Sequence, residues 1–255
     1  MADAIPSPVL ASNAFIRRHP RVRHVARRMS SPLRSVGVPV LRGPCRGLRV
    51  SVGDSTLLRV LSRIEPEFED AWTQHVSTGD VVWDVGANIG WFSLLAARVA
   101  GPSARVTAFE PVPTNVAQIK ANAARNGLPI VVVPAAVAGT SGWSSFDAES
   151  SLTGRLSTDG PMIVPTITLD DWAARVGPPN VIKLDIEGDE VAVLADGAKQ
   201  LLSVHRPAIL CECHGTQHEI DRVLQQSSYR VSVIEMPWVP VRNAPWWVHL
   251  LGLPN

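Results

Sequence analysis

Val81-Val82-Trp83-Asp84-Val85-Gly86-Ala87-Asn88-Ile89-Gly90-Trp91-Phe92 reads as a strand, a tight turn and the start of a helix. Val81 to Val85 is a short apolar run ended by glycines, and Phe92, Leu95, Ala96 and Val99 then recur at i, i+3, i+4 and i+7. Working outward, the same unit returns. Arg105 to Phe109 predicts a second strand, Thr114 to Asn126 a helix closed by Gly127, and Ile130 to Val133 a third strand. Upstream, Pro66 suits the first turn of a helix carrying Phe68, Ala71, Trp72 and Val76. Downstream, Val181 to Ile186 predicts a fourth strand, followed by a helix with Val191, Leu194, Ala195, Ala198, Leu201 and Leu202 along one stripe. Further strands are expected at Pro207 to Cys213, Tyr229 to Ile234 and Trp246 to Leu250. Thr168 and Asp171 have the spacing of a capping box opening a helix over Trp172 to Val176. Residues 139–165 interrupt the rhythm with Gly, Ser, Thr and Asp, which predicts loops or short hairpins on a sheet rim. The alternation implies an α/β, doubly wound, Rossmann-like fold, its sheet mostly parallel and its ligands at the carboxyl ends of the central strands.

A chain of 255 residues, 45% of them apolar, can bury a full core and predicts one main domain. The net charge of +1 hides an asymmetry: residues 1–50 hold ten Arg against one acid, a net +9, leaving −8 on the rest. We therefore expect a basic, partly disordered N-terminal arm over 1–50 and the main domain over 51–255, with Pro20, Pro32, Pro39 and Pro44 cutting every candidate helix in the arm. An acidic body lacks the basic face of a nucleic-acid binder, so no nucleic-acid partner is expected. The arm reads either as a solvated extension or as a peripheral contact with an anionic membrane surface or substrate. Cys45, Cys211 and Cys213 suit neither a disulfide framework nor a spaced zinc site. The first apolar stretch, Pro6 to Ala11, is too short for a secretory core, and no run is long enough to span a bilayer. A cytoplasmic location is expected, although the Arg-rich, acid-poor start also has the composition of a transit peptide.

The first strand ends in Asp84-Val85-Gly86-Ala87-Asn88-Ile89-Gly90 and the second leads to Glu110. Glycines let the backbone turn and approach a ligand, and a distal carboxylate takes ribose hydroxyls, a logic shared by two cofactor classes. A dinucleotide site needs a glycine where Asn88 stands and another one residue after Gly90. A nucleoside bearing an amino acid, S-adenosylmethionine, has no phosphate and asks instead for polar groups such as Asp84, Asn88 and the turn amides.

The stretch Gly79 to Leu94, with Phe109-Glu110-Pro111 and Ile182-Lys183-Leu184-Asp185-Ile186-Glu187-Gly188-Asp189-Glu190, resembles the FkbM family of methyltransferases. Glu65-Pro66-Glu67, Thr166-Ile167-Thr168-Leu169-Asp170 and Arg206-Pro207 leading to Glu212 and His214 add to the resemblance, which runs from about Glu65 to His214. It implies a seven-stranded sheet of order 3-2-1-4-5-7-6 with an antiparallel last strand, and S-adenosyl-L-methionine lying across strands one and two. It also implies that Asp84, Gly86, Asn88 and Gly90 line the methionine end, Glu110 holds the ribose, Glu65 closes the site, and Ala135 and Ala136 sit by the adenine edge, where small residues also serve plain packing. The implied acceptor is a small molecule such as a sugar, glycolipid or polyketide.

Methyl transfer from a sulfonium is an in-line displacement. Placement can supply about 7 to 11 kcal/mol, whereas a general base supplies roughly 3 to 5 kcal/mol. Asp185, Glu187 and His214 are the candidate catalytic groups at the ends of strands four and five. Glu187 has a second reading as a cap of the following helix, and His214 a second reading as the partner of a local backbone group. Lys183 alternates with Asp185 and is expected to pair with it. A divalent metal on Asp185, Glu212 and His214 is the less favoured addition, so no metal ligands are assigned. Trp91, Trp143, Trp238, Trp246 and Trp247 are read as packing or as an aromatic platform for an acceptor. The competing readings are an NAD-dependent oxidoreductase and a non-catalytic module of the same fold. Oligomeric state is not encoded in any of these features.

Overall fold

The computed structural model describes residues 37–51, 60, 61, 63, 65–148 and 154–255. Apolar runs with little alternation become strands buried on both faces. These are β3 (Val81–Val85), β4 (Arg105–Phe109), β10 (Val181–Leu184) and β11 (Ala208–His214), joined by the edge strand β5 (Ile130–Val133), which leaves Val131 exposed, and by β12 (Tyr229–Val233) and β13 (Trp247–Pro254). They form one sheet in the order β12-β13-β11-β10-β3-β4-β5. Numbered among themselves along the chain and taken from the β5 edge, the strands lie third, second, first, fourth, fifth, seventh, sixth. Neighbours from β5 through β11 are parallel, and β13 runs antiparallel to both β11 and β12.

Successive residues of each strand face opposite sides, which splits the core in two. Val82, Val106, Val181 and Leu210 pack with Phe68 and Trp72 of α1 (Pro66–His75) and with α2 (Trp91–Ala100). Trp83, Val85, Phe109, Ile182, Leu184 and Cys211 pack against α4 (Leu169–Val176), α5 (Glu190–Ala192) and α6 (Gln217–Gln226) on the other side. On α3 (Pro113–Asn126), Ile119 meets Ala87 and Ala108. Gly127 closes α3 in the left-handed region, and Thr168 Oγ1 accepts the Asp171 amide as the cap of α4, both as the sequence predicts. Burying a large side chain in either cluster is worth roughly 1.5–3 kcal/mol.

Several boundaries differ from the sequence reading. The fourth strand stops at Leu184, so Asp185 already belongs to the turn. Residues 136–167 hold more than rim hairpins: β6 (Ala136–Val137), β9 (Met162–Ile167), β7 (Gly142–Asp147) and β8 (Arg155–Leu156) form a four-stranded sheet of their own in that order. α5 (Glu190–Ala192) continues into π turns at Val193–Gly197 and Leu201–His205, and the Asp170 carboxylate accepts the amides of Gln200 and Leu201 where the second segment begins. α6 interrupts a region read only as strands, anchored by Ile220 and Leu224. Residues 37–50, counted with the arm on composition, instead pack on the domain. β1 (Val38–Pro39) pairs with β2 (Arg49–Val50), Val40, Cys45, Leu48 and Val50 are buried, and Asn126 exchanges two hydrogen bonds with the Arg49 backbone. The rest of the basic arm, residues 1–36, lies outside the described residues. Among the described residues no helix is long and apolar enough to cross a membrane.

Candidate active site

The turn between β3 and α2 is left-handed at Gly86, Asn88 and Gly90, with φ of 74°, 53° and 84°. Gly86 is required for two reasons. Its φ disfavours a side chain, and a Cβ there would land on the carbonyl oxygen of Asp185, well inside contact distance. The amides of Gly86 and Ala87 donate to the Phe109 carbonyl at 3.2 and 3.0 Å, tying the turn to the end of β4. Glu110, next along, accepts the Asn88 amide (2.8 Å), the Val112 amide (2.9 Å) and Asn115 Nδ2 (3.3 Å). Burial pushes its carboxyl up to about 7 even against those three donors.

Beneath the turn lies an ion cluster. Lys183 Nζ sits 3.4 Å from Asp84 and 3.2 Å from Asp185, and donates to the Gly86 carbonyl at 3.2 Å. Burial alone would lower its pKa, but the charges of Asp185, Asp84 and Glu212 raise it above the ordinary value, so it stays charged. Asp84 is wholly buried, with Ser93 Oγ donating to it at 2.5 Å. It therefore faces Lys183 and Ser93 and not an open pocket. Asp185 is the exposed end of the cluster, its side chain 26% accessible. Burial and the charge of Glu212 push it up to about 7, against the pull of Lys183 and His214.

The far rim is assembled from β11, β13 and the link before β13. His214 Nε2 stands 3.3 Å from Glu212 and 3.6 Å from Glu187. Glu212 also accepts Trp247 Nε1 at 2.8 Å and lies 3.6 Å from His249 Nε2. The opposite nitrogen of His249 meets Glu235, and its ring stacks on Phe68 at 4.2 Å. Burial would lower both imidazoles, yet the bonds and charges of Glu212, with Glu187 and Asp185 at His214 and Glu235 at His249, raise them to about 9 and about 10. The same two rings hold Glu212 well below the usual carboxylate range although burial opposes it.

The structure thus brings Gly86, Asn88, Gly90 and Glu110 together on one side and Asp185, Glu187 and His214 on the other, with Lys183 between. Glu190 Oε1 accepts the amides of Ile186 and Gly188 and so holds the turn ahead of α5, whose N-cap is Asp189. Glu187 takes φ of 60° and is one-third exposed toward His214. Glu65 lies nearly buried at the N-terminus of α1, three residues before Phe68. Ala136 pairs with Thr166 in the small sheet and packs with Phe146 and Val164. Among the described residues no cluster of three His, Cys, Asp or Glu is placed to hold a metal ion. The sequence reading missed His249, Glu235 and Ser93. Only His249 had a local signal, a lone imidazole inside the apolar run Trp247 to Leu251. Trp91 is buried and bonds Glu69, which takes it out of any platform, while Trp143, Trp238 and Trp246 are exposed.

The model of the methyltransferase FkbM domain matches residues 84–231. The hexuronic acid methyltransferase AglP of Haloferax volcanii is 29% identical over 164 residues, covering 62% of this chain and 66% of that protein. The 31-O-demethyl-FK506 methyltransferase FkbM of Streptomyces tacrolimicus is 54% identical over 48 residues, 19% of this chain and 18% of that one. Among solved structures, the methyltransferase FkbM of Methylobacillus flagellatus KT superposes with a TM-score of 0.49 at 20% identity, over 68% of this chain and 43% of the other. The chain therefore spans just under two thirds of the first curated relative and less of the other two proteins.

Proposed function

The chain belongs to the FkbM methyltransferase family, and from that premise we propose that it transfers a methyl group from S-adenosyl-L-methionine to a hydroxyl of a sugar, glycolipid or polyketide-type molecule, in the cytoplasm. The chemistry of the donor set fits this cofactor. Among the described residues, the acids Glu110, Asp84 and Asp185 stand at the glycine turn, and the cation beside them, Lys183, is taken up by two carboxylates. A pyrophosphate would meet net negative charge there, whereas a sulfonium nucleoside is complementary to it, which disfavours the NAD reading.

When bound, the cofactor supplies a methyl carbon whose bond to sulfur breaks as the acceptor oxygen attacks. The chain's own residues do the rest. The Asn88 side chain would orient the methionine end, Glu110 would hold the ribose hydroxyls, and Glu65 would close the site. Asp84 acts from beneath by fixing Lys183, and Ala136 serves as packing near the adenine edge. Asp185 takes the proton that the hydroxyl loses, because its carboxyl titrates near neutrality at the accessible end of the cluster. His214, raised to about 9 by Glu212, Glu187 and Asp185, is an imidazolium at neutral pH and so positions Glu187 and the acceptor in place of acting as the base. No metal is part of this mechanism.

The observation that carries the reading is the contact of Gly86 with the Asp185 backbone, which sets the acceptor-side carboxylate against the cofactor turn. Incubating the protein with methyl-labelled S-adenosylmethionine and cell extract, followed by mass spectrometry, is expected to release S-adenosylhomocysteine and label one product on oxygen. Binding of NAD with no affinity for S-adenosylmethionine would overturn it, and affinity without turnover would favour the non-catalytic module.

A further inference from the structure

One face of the main sheet carries a row of polar side chains at the carboxyl ends of its strands. Lys183 and Asp185 alternate onto it along β10 and just past its end, Glu212 and His214 come from β11, and Trp247 and His249 come from β13. The parallel register pairs Leu184 with Cys211. The Asp185 amide still donates to the Val85 carbonyl at 3.2 Å, so the ladder runs one residue beyond β10 and sets Asp185 beside Glu212.

Two carboxylates held side by side resist ionising together, and the one with more donors keeps the charge. The donors here are divided unequally. One oxygen of Glu212 accepts Trp247 Nε1 at 2.8 Å and lies 3.3 Å from His214 Nε2, and the other lies 3.6 Å from His249 Nε2. His249 is fixed from behind, its backbone amide donating to Glu235 at 3.3 Å and its ring stacked on Phe68. Asp185 has Lys183 at 3.2 Å, a cation that also serves Asp84 and the Gly86 carbonyl. Two further charges act on Asp185: His214 favours its ionised form and Glu187 opposes it. Glu190, in the same turn, spends Oε1 on the amides of Ile186 and Gly188. Glu212 is also the less accessible of the two acids, 14% against 26%.

We propose that Glu212 is a positioning residue of the methyl-transfer site: locked by Trp247, His214 and His249, it keeps a fixed negative charge beside Asp185, so that the proton of the acid pair resides on Asp185. β13 thereby takes part in the chemistry through Glu212, and the assignment rests on the reading of Asp185 as the base. The test is carbon-13 NMR of the full chain labelled at the aspartate carboxyls, titrated with a chelator present and no acceptor. The Asp185 signal is the one lost in Asp185→Asn. In wild type it is expected to titrate near neutrality. In Glu212→Gln its midpoint is expected to fall by about one pH unit or more. A weaker charge on His214 in that variant works the other way, but Glu212 has the larger influence on Asp185. A wild-type midpoint in the ordinary carboxylate range, or a midpoint unmoved or raised in Glu212→Gln, overturns the proposal; a purely structural Glu212 would alter the melting temperature and leave the midpoint alone. Should Glu212→Gln not fold, His214→Gln decides in its place. With that cation gone and Glu212 still ionised the Asp185 midpoint should rise, whereas an unmoved or lower midpoint means that the proton has gone to Glu212 and overturns the assignment. Calorimetric affinity of the wild type for S-adenosylmethionine separates the two levels: if it is absent the methyltransferase reading falls while the titration still decides the acid pair, and if it is present with an unmoved midpoint the acid pair alone falls.

Discussion

The proposed cofactor half of the site and the proposed acceptor half are built on different principles. Gly86, Asn88, Gly90 and Glu110 all belong to one strand-turn-helix-strand unit, and they meet through backbone amides that local geometry supplies. Asp185, Glu212, His214, Glu235 and His249 come from four separate segments, and they meet because β13 turns back antiparallel between β11 and β12. Its register sets His249 opposite Glu212 and Trp247 opposite His214. One half depends on chain-local conformation, the other on long-range strand pairing and paired charge. A family can hold the first constant while the second changes to suit a new acceptor.

The largest effect should come from the point where the halves touch. Gly86→Ala adds a Cβ at positive φ against the Asp185 carbonyl, and we expect a loss of about 3 kcal/mol or more with no methyl transfer. Calorimetric melting checks this. A stable, active variant would mean that the halves are not joined there.

Asp185→Asn probes the acceptor half alone. Turnover should fall by about 10² to 10⁴, with cofactor affinity within about threefold of wild type. In the wild-type enzyme turnover should climb as pH rises through about 7, since the base works only once its carboxyl is ionised. A flat profile across that range would move the base elsewhere.

His249→Gln tests the paired charges. Removing one partner from a buried cluster is expected to cost about 3 kcal/mol. Both imidazoles are raised from 6.5, to about 9 and about 10, so their stabilisation is complete below pH 6.5 and is lost as pH climbs through those values. Melting temperature should therefore fall between pH 7 and 10 in the wild type and fall less steeply in the variant. Parallel pH curves would show that His249 packs on Phe68 without an electrostatic part.

The same division explains what could be read from residues alone. Val81 to Gly90, Glu110 and the capping pair Thr168 and Asp171 were legible because each signal lies within a few positions along the chain. Asp185 and His214 were legible as strand-end polar residues, but their roles were not, since the proton on His214 is set by its pairing with Glu212 and Glu187 and by the charge of Asp185, which the fold brings near it. His249 and Glu235 stayed hidden because nothing local announces an antiparallel register. Residues 37–50 were misassigned on composition: three arginines and two prolines obscured Val40, Cys45, Leu48 and Val50, which bury themselves beside Phe68 and Trp72. The small sheet over 136–167 shows the same limit, for its short strands gain their identity from pairing rather than from periodicity.

The smallest of these effects bears most directly on the central claim, that the glycine turn and Glu110 hold a sulfonium nucleoside. Calorimetric titration of wild type and Glu110→Gln with S-adenosylmethionine, with NAD as the comparison ligand, should give binding of the first ligand only. The variant should be weakened by about 2 kcal/mol, about thirtyfold, through loss of charged hydrogen bonds to the ribose. Undiminished affinity in Glu110→Gln, or binding of NAD in place of S-adenosylmethionine, would contradict it.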